Sequence, residues 1–140
     1  MGKYVVNSSL RNIGYQVGTQ AGVHRYIMDE PTSSLGTDAG PNPVQYLIGA
    51  VNGCLAITAR AVARKHKIKL EKFEIRSIGN VAKYADGTSA VDEITVNVTF
   101  KADISGTDKE EFINETLAKC TVHKTLEAGV KFTFNFEQEE

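Results

Sequence analysis

The 140 residues, 41% hydrophobic and 24% charged, have the composition of one globular domain and exclude a disordered, fibrous or disulfide-dense chain. Sixteen Lys plus Arg stand against seventeen Asp plus Glu, with no basic run, which excludes the phosphate-neutralising surface that nucleic-acid binding needs. Two cysteines, Cys54 and Cys120, with no Cys-x-x-Cys pair, exclude a disulfide framework and the usual structural zinc site. The N-terminal Met1-Gly2-Lys3-Tyr4-Val5-Val6 lacks the apolar run of a signal peptide, so a cytoplasmic location is expected.

Residues 3 to 28 carry period-two segments broken by Gly: Lys3 to Leu10, Tyr15 to Thr19 after Gly14, and Val23 to Met28 after Gly22. They predict three antiparallel strands in a meander. Asp29 to Pro41 is rich in Pro, Gly and small polar residues and predicts a long loop. Asn42-Pro43-Val44-Gln45 then predicts a helix start, with Asn as N-cap, Pro at the first helical position and Gln reaching back as in a capping box. The helix runs to about His66-Lys67. Residues 46 to 63 are apolar or small on nearly every face, which predicts a buried central helix, and Asn52, Thr58 and Arg60 interrupt any membrane span. Gly49 and Gly53 predict a shallow stripe for close approach by another element.

Leu70 to Tyr84 and Val91 to Ile104 have strand character, with Asp86-Gly87 as the turn of a long hairpin and Ile94, Val96, Val98 and Phe100 on one face. Thr107-Asp108-Lys109-Glu110 reads as a capping box for a second helix bearing Phe112, Ile113, Thr116 and Leu117 on one face, extended by Cys120. A short helical turn from Thr121 to about Gly129 precedes a last alternating strand, Val130 to Phe136. The class is α+β, in a single domain over residues 1–140.

Taken alone, Cys54 reads as a small core residue, and its place in mid-helix denies it the helix N-terminus that lowers a thiol pKa. Reactivity there calls for positive charge from another segment. Arg11, after the first strand, and Arg25, on the third, are the cations that can reach the head of the central helix if the meander packs on it. Cys120-Thr121-Val122-His123 has the spacing of half a metal site without a second half, so no metal is expected. His24 and His66 read as solvent-facing. Gly36 to Pro41 lacks the spacing of a phosphate cradle.

Gly36-Thr37-Asp38-Ala39-Gly40-Pro41-Asn42-Pro43, Val51-Asn52-Gly53-Cys54-Leu55 and Cys120-Thr121-Val122-His123 together resemble the OsmC/Ohr family, the osmotically induced and organic-hydroperoxide-resistance proteins, in its OsmC-like branch. The resemblance implies an intertwined homodimer with active sites at its interface, Cys54 as peroxidatic and Cys120 as resolving cysteine, and no metal or bound cofactor. It implies a thiol-dependent hydroperoxide reductase acting on organic or hydrogen peroxide, recycled by an external dithiol. It also implies an activating Arg in the turn after the first strand, where Arg11 stands, with Arg25 as the reserve. One position departs from the peroxidase branches: Val44 replaces the Glu that follows the helix-opening Asn-Pro, and Val cannot hold a guanidinium. Asp29, Glu30 and Asp38 are the loop carboxylates that could replace it. The alternative function is a non-catalytic dimer binding a small apolar or thiol ligand at its interface. Further expectations are an interface above about 2,000 Å² and cysteine Cα atoms about 4.4 to 6.8 Å apart on oxidation.

Overall fold

In the computed structural model, which describes residues 2–140, the period-two segments of the N-terminal stretch form β1 (Val6–Leu10), β2 (Val17–Ala21) and β3 (His24–Met28), each antiparallel to the next. Met1, the first residue of the segment read for a leader, lies outside the described residues. β1 and β3 are shorter than the alternation predicts and β2 is shifted by two residues, because the turns set the register. Ala21 is the last residue of β2 and pairs with Val6, so Lys3 to Val5 run past it unpaired. Arg11 N–H donates to the Gln16 carbonyl and Gln16 N–H to that of Ile13, which puts Tyr15 in the turn rather than in β2. These strands and the loop to Leu47 form one compact unit, and residues from Ile48 to Glu140 form another.

The predicted loop is organised around Asp29, which is only 1% exposed. One carboxylate oxygen accepts from the N–H groups of Tyr15 (3.3 Å) and Glu30 (2.8 Å). The other accepts from the Thr37 hydroxyl (2.6 Å) and the N–H groups of Thr37 (3.1 Å) and Ala39 (3.0 Å). The Thr37 hydroxyl, aided by the amides and outweighing burial, holds the carboxyl well below its ordinary 3.8. A folded-state pKa below the unfolded one makes a contribution to stability that is present above the unfolded value and lost as pH falls toward the folded one. We predict that Asp29→Asn, which turns an NH2 toward these donors, lowers the melting temperature by at least about 5 °C and flattens the loss of stability below about pH 4, both read by circular dichroism.

The first turn of α1 (Pro43–Lys65) carries the reciprocal cap read from the sequence: Gln45 N–H donates to Asn42 Oδ1 at 2.9 Å, and Asn42 N–H to Gln45 Oε1 at 2.8 Å. The helix stops at Lys65 rather than at Lys67. Lys67 takes the left-handed conformation at φ 56°, while Ile68 N–H bonds the Ala63 carbonyl and Lys67 N–H that of Arg64, a Schellman closure.

In the second unit β4 (Leu70–Lys83) and β5 (Ser89–Ala102) form the long hairpin, and β6 (Lys131–Gln138) lies parallel to β5, giving the order β4-β5-β6. A parallel neighbour requires a crossover. It is supplied by α2 (Gly106–Lys119) and α3 (Thr121–Leu126). Ile94, Val96, Val98 and Phe100 are buried on one face of β5, and the parallel register sets Phe132, Phe134 and Phe136 beside the first three. Val51, Leu55, Ala59 and Val62 of α1 and Phe112 of α2 belong to the same core. Thus α1, long and apolar enough to cross a bilayer, buries one side, Val51, Leu55, Ala59, Val62 and Ala63, in this core, rather than most of its faces as the sequence predicts.

Two local expectations are corrected. α2 begins at Gly106 with Ser105 at the N-cap and no side-chain cap bond, so Thr107 lies inside the helix and its capping box does not form. The Gly49–Gly53 stripe has open space above it; the close approach occurs instead at Gly79 of β4, where a Cβ would stand 2.6 Å from Ile48 Cδ1.

Candidate active site: a cysteine pair at a helix break

Cys54 is half-buried on α1, and the Thr58 hydroxyl one turn on donates to its carbonyl at 2.7 Å. Cys120 is fully buried at the break between α2 and α3, with extended backbone at φ −74° and ψ 104°. That break determines the chemistry. The Cys120 carbonyl takes the N–H of Lys124 at 2.9 Å as the first bond of α3, which leaves the N–H groups of Thr121, Val122 and His123 without a helical acceptor. They act on the sulfurs instead: the amides of Val122 and Thr121 favour the Cys54 thiolate, and those of His123 and Val122 favour that of Cys120. The two thiols also act on each other, Cys120 lowering the Cys54 pKa and Cys54 raising that of Cys120.

The consequences for the two sulfurs are opposite. Desolvation pushes Cys54 up, but the Val122 amide, the Cys120 thiol and the Thr121 amide stabilise its thiolate and outweigh that effect, so its pKa falls below the ordinary 9.0. Thr58, with its proton on the Cys54 carbonyl, adds least. Deeper burial, with the Cys54 sulfur beside it, pushes Cys120 up to about 11 against the pull of the His123 amide. The pair is therefore a half-buried thiol whose ionisation is favoured and a fully buried one whose ionisation is opposed.

β6 holds the break in place. The His123 ring packs edge-on, at 87°, against Phe132 (4.7 Å) and Phe134 (4.9 Å), whose rings stack within 6° of parallel. Sequence reasoning missed the amides of Thr121 and Val122 because it asked only about the N-terminus of the helix that carries Cys54. The usable signal was the start of a new helix directly after Cys120, since every helix start leaves free N–H groups.

Arg11 and Arg25 lie in the first unit. Arg11 opens the β1–β2 turn, and Arg25 sits on β3 opposite Gln20. The proposed replacement carboxylate does not touch Arg11 directly. Thr37, whose hydroxyl proton is on Asp29, accepts from Gln16 Nε2 at 2.8 Å, and this turns Gln16 Oε1 toward Arg11 Nη1 at 3.4 Å. Asp29 therefore orients Arg11 through two intervening side chains. Val44 lies in the first turn of α1.

The architecture matches known proteins over nearly its whole length. An OsmC-like protein from Mycoplasma pneumoniae superposes with a TM-score of 0.88 at 22% identity, covering 99% of each chain. The organic hydroperoxide resistance protein OsmC of Legionella pneumophila has a TM-score of 0.73 at 15% identity over 98% of each chain. An organic hydroperoxide resistance protein of Elizabethkingia anophelis, with thiocyanate bound, has a TM-score of 0.74 at 10% identity, over 99% of this chain and 98% of its own. No curated protein matches this chain. The profile described as OsmC-like protein matches residues 36–135, a span that holds Cys54, Cys120 and the helix-opening Asn42-Pro43. The chain belongs to the OsmC-like family.

Proposed function

We propose that this chain is a thiol-dependent hydroperoxide reductase. The feature that carries the reading is the half-buried Cys54, its pKa lowered by the free amides of α3 and by the neighbouring Cys120 thiol. A redox, stress-defence role also agrees with the family and with the organic hydroperoxide resistance proteins that share the fold.

In the first step the Cys54 thiolate attacks one peroxide oxygen, the O–O bond breaks, the alkoxide leaves and takes a proton, and Cys54 becomes a sulfenic acid. In the second, the Cys120 sulfur attacks the Cys54 sulfur, water leaves and a disulfide forms. An external dithiol then returns both thiols with two electrons. The raised pKa of Cys120 suits this order, since it stays a hydrogen-bond donor while Cys54 is the anion. Arg11, with Arg25 in reserve, is the side-chain cation that the family resemblance adds to the amides, and Arg11→Ala and Arg25→Ala measure its share.

The working species is a homodimer in this reading. Ile57, in line with the open Gly49 and Gly53 on α1, is 73% exposed, while Tyr4 and Leu10 of the meander are 91% and 71% exposed. Apolar surface of this kind marks an interface. A reducing compartment such as the cytoplasm keeps both thiols free for the cycle.

The test is rapid mixing of reduced protein with cumene hydroperoxide and, separately, hydrogen peroxide, following free thiols. The expected result is fast loss of both thiols of a chain per peroxide consumed, with a Cys54–Cys120 disulfide on peptide mapping. Thiols that survive both peroxides would refute the reading.

A further inference from the structure

Strand alternation puts Asn7, Ser9, Gly18, Gln20, Arg25 and Ile27 on one face of the meander. Arg11 is brought over that same face. A Cβ at Gly18 would stand 3.1 Å from Arg11 Nη2 and 3.3 Å from Nε, so the missing side chain is what lets the guanidinium lie flat across β2. Arg11 and Arg25 thus line one groove of about 500 Å³, together with hydroxyl and amide side chains and the apolar Ile27. Among the described residues, no carboxylate lines it. Neither arginine makes an ion pair among the described residues, and the one side-chain hydrogen bond of Arg11 goes to a neutral amide that the Asp29–Thr37 network holds in place.

Two guanidinium groups on one groove, one of them held by a glycine and a hydrogen-bond chain, form a fork for an oxyanion. The adjoining Ile27 offers an apolar wall to the rest of a ligand. We infer that the meander groove binds a small organic acid, its carboxylate on Arg11 and Arg25 and its apolar body along Ile27. The inference concerns binding within the first unit; it uses the same two arginines that the proposed function sets beside Cys54, and it is tested by binding alone.

The probes are octanoate, octanol and inorganic phosphate, titrated calorimetrically into the reduced full-length protein. Octanoate is expected to saturate one site per chain and octanol to give no heat. Arg11→Gln and Arg25→Gln are each expected to weaken octanoate at least about tenfold, the loss that follows from removing one charge-assisted contact. Gly18→Val, which suits a strand but displaces the guanidinium, is expected to weaken it similarly with an unchanged melting temperature. Phosphate weaker than octanoate assigns the site to acids with an apolar body, and equal phosphate assigns it to the oxyanion head alone. Equal binding of octanol and octanoate, or octanoate binding unchanged in both Gln variants, would overturn the inference. Because no probe is a peroxide, failure here leaves the Cys54 result standing, and the reverse also holds.

Discussion

Cys54→Ser is expected to abolish peroxide-driven thiol loss entirely, whereas Cys120→Ser is expected to react once and stop at the sulfenic acid. The asymmetry follows from the site. A serine at position 54 is not ionised and cannot take oxygen from a peroxide, and the Cys120 that remains is a fully buried thiol raised to about 11. In Cys120→Ser the α3 amides still point at Cys54, and the new hydroxyl can donate as the thiol did, so the first step keeps most of its rate. With no second sulfur, the sulfenic acid persists, is trapped by dimedone and in excess peroxide passes to sulfinic acid. Mass spectrometry of the two peptides reads each state. Equal thiol loss in wild type and Cys54→Ser would remove Cys54 from the chemistry and favour a ligand-binding dimer.

What the sequence revealed and what it hid divide by the range of the interaction. The Asn42–Gln45 cap was legible because donor and acceptor lie three residues apart, and the buried face of β5 was legible because alternation at Ile94, Val96, Val98 and Phe100 is a local pattern. The parallel partnership of β5 with β6 was not, since the strands are joined through two helices and no periodicity encodes which edge the returning strand takes. The meeting of Cys54 with Cys120 could be drawn only from family resemblance, as the two lie far apart along the chain. Asp29 illustrates a third case. Its place in a polar loop suggested a free carboxylate for an arginine, but burial requires both oxygens to be satisfied, and five donors from its own and neighbouring turns satisfy them. Its influence on Arg11 is therefore indirect. The Val44 departure has the same lesson, because what orients the guanidinium here is Gln16, a residue no motif singled out.

The second large effect concerns the amides of α3. Thr121 is the first residue of that helix, where proline fits the backbone and lacks only the N–H, and Cys120 before it already has the extended conformation that a following proline requires. Thr121→Pro therefore deletes one donor to the Cys54 sulfur while leaving the helix, the Cys120 thiol and the Val122 amide in place. Losing one hydrogen bond to an anion is expected to raise the Cys54 pKa by about one unit. At neutral pH the thiolate population and the rate of peroxide reduction fall by a similar factor of about ten, with no change in far-ultraviolet circular dichroism.

The pH dependence of Cys54 alkylation by iodoacetamide, followed on the Cys54 peptide in wild type and Thr121→Pro, tests most directly whether a helix start built at Cys120 makes Cys54 a thiolate. The expected result is a wild-type midpoint below that of the same peptide in the unfolded protein, shifted upward in Thr121→Pro. A midpoint at or above that of the unfolded protein, or one that the proline leaves unmoved, would contradict it.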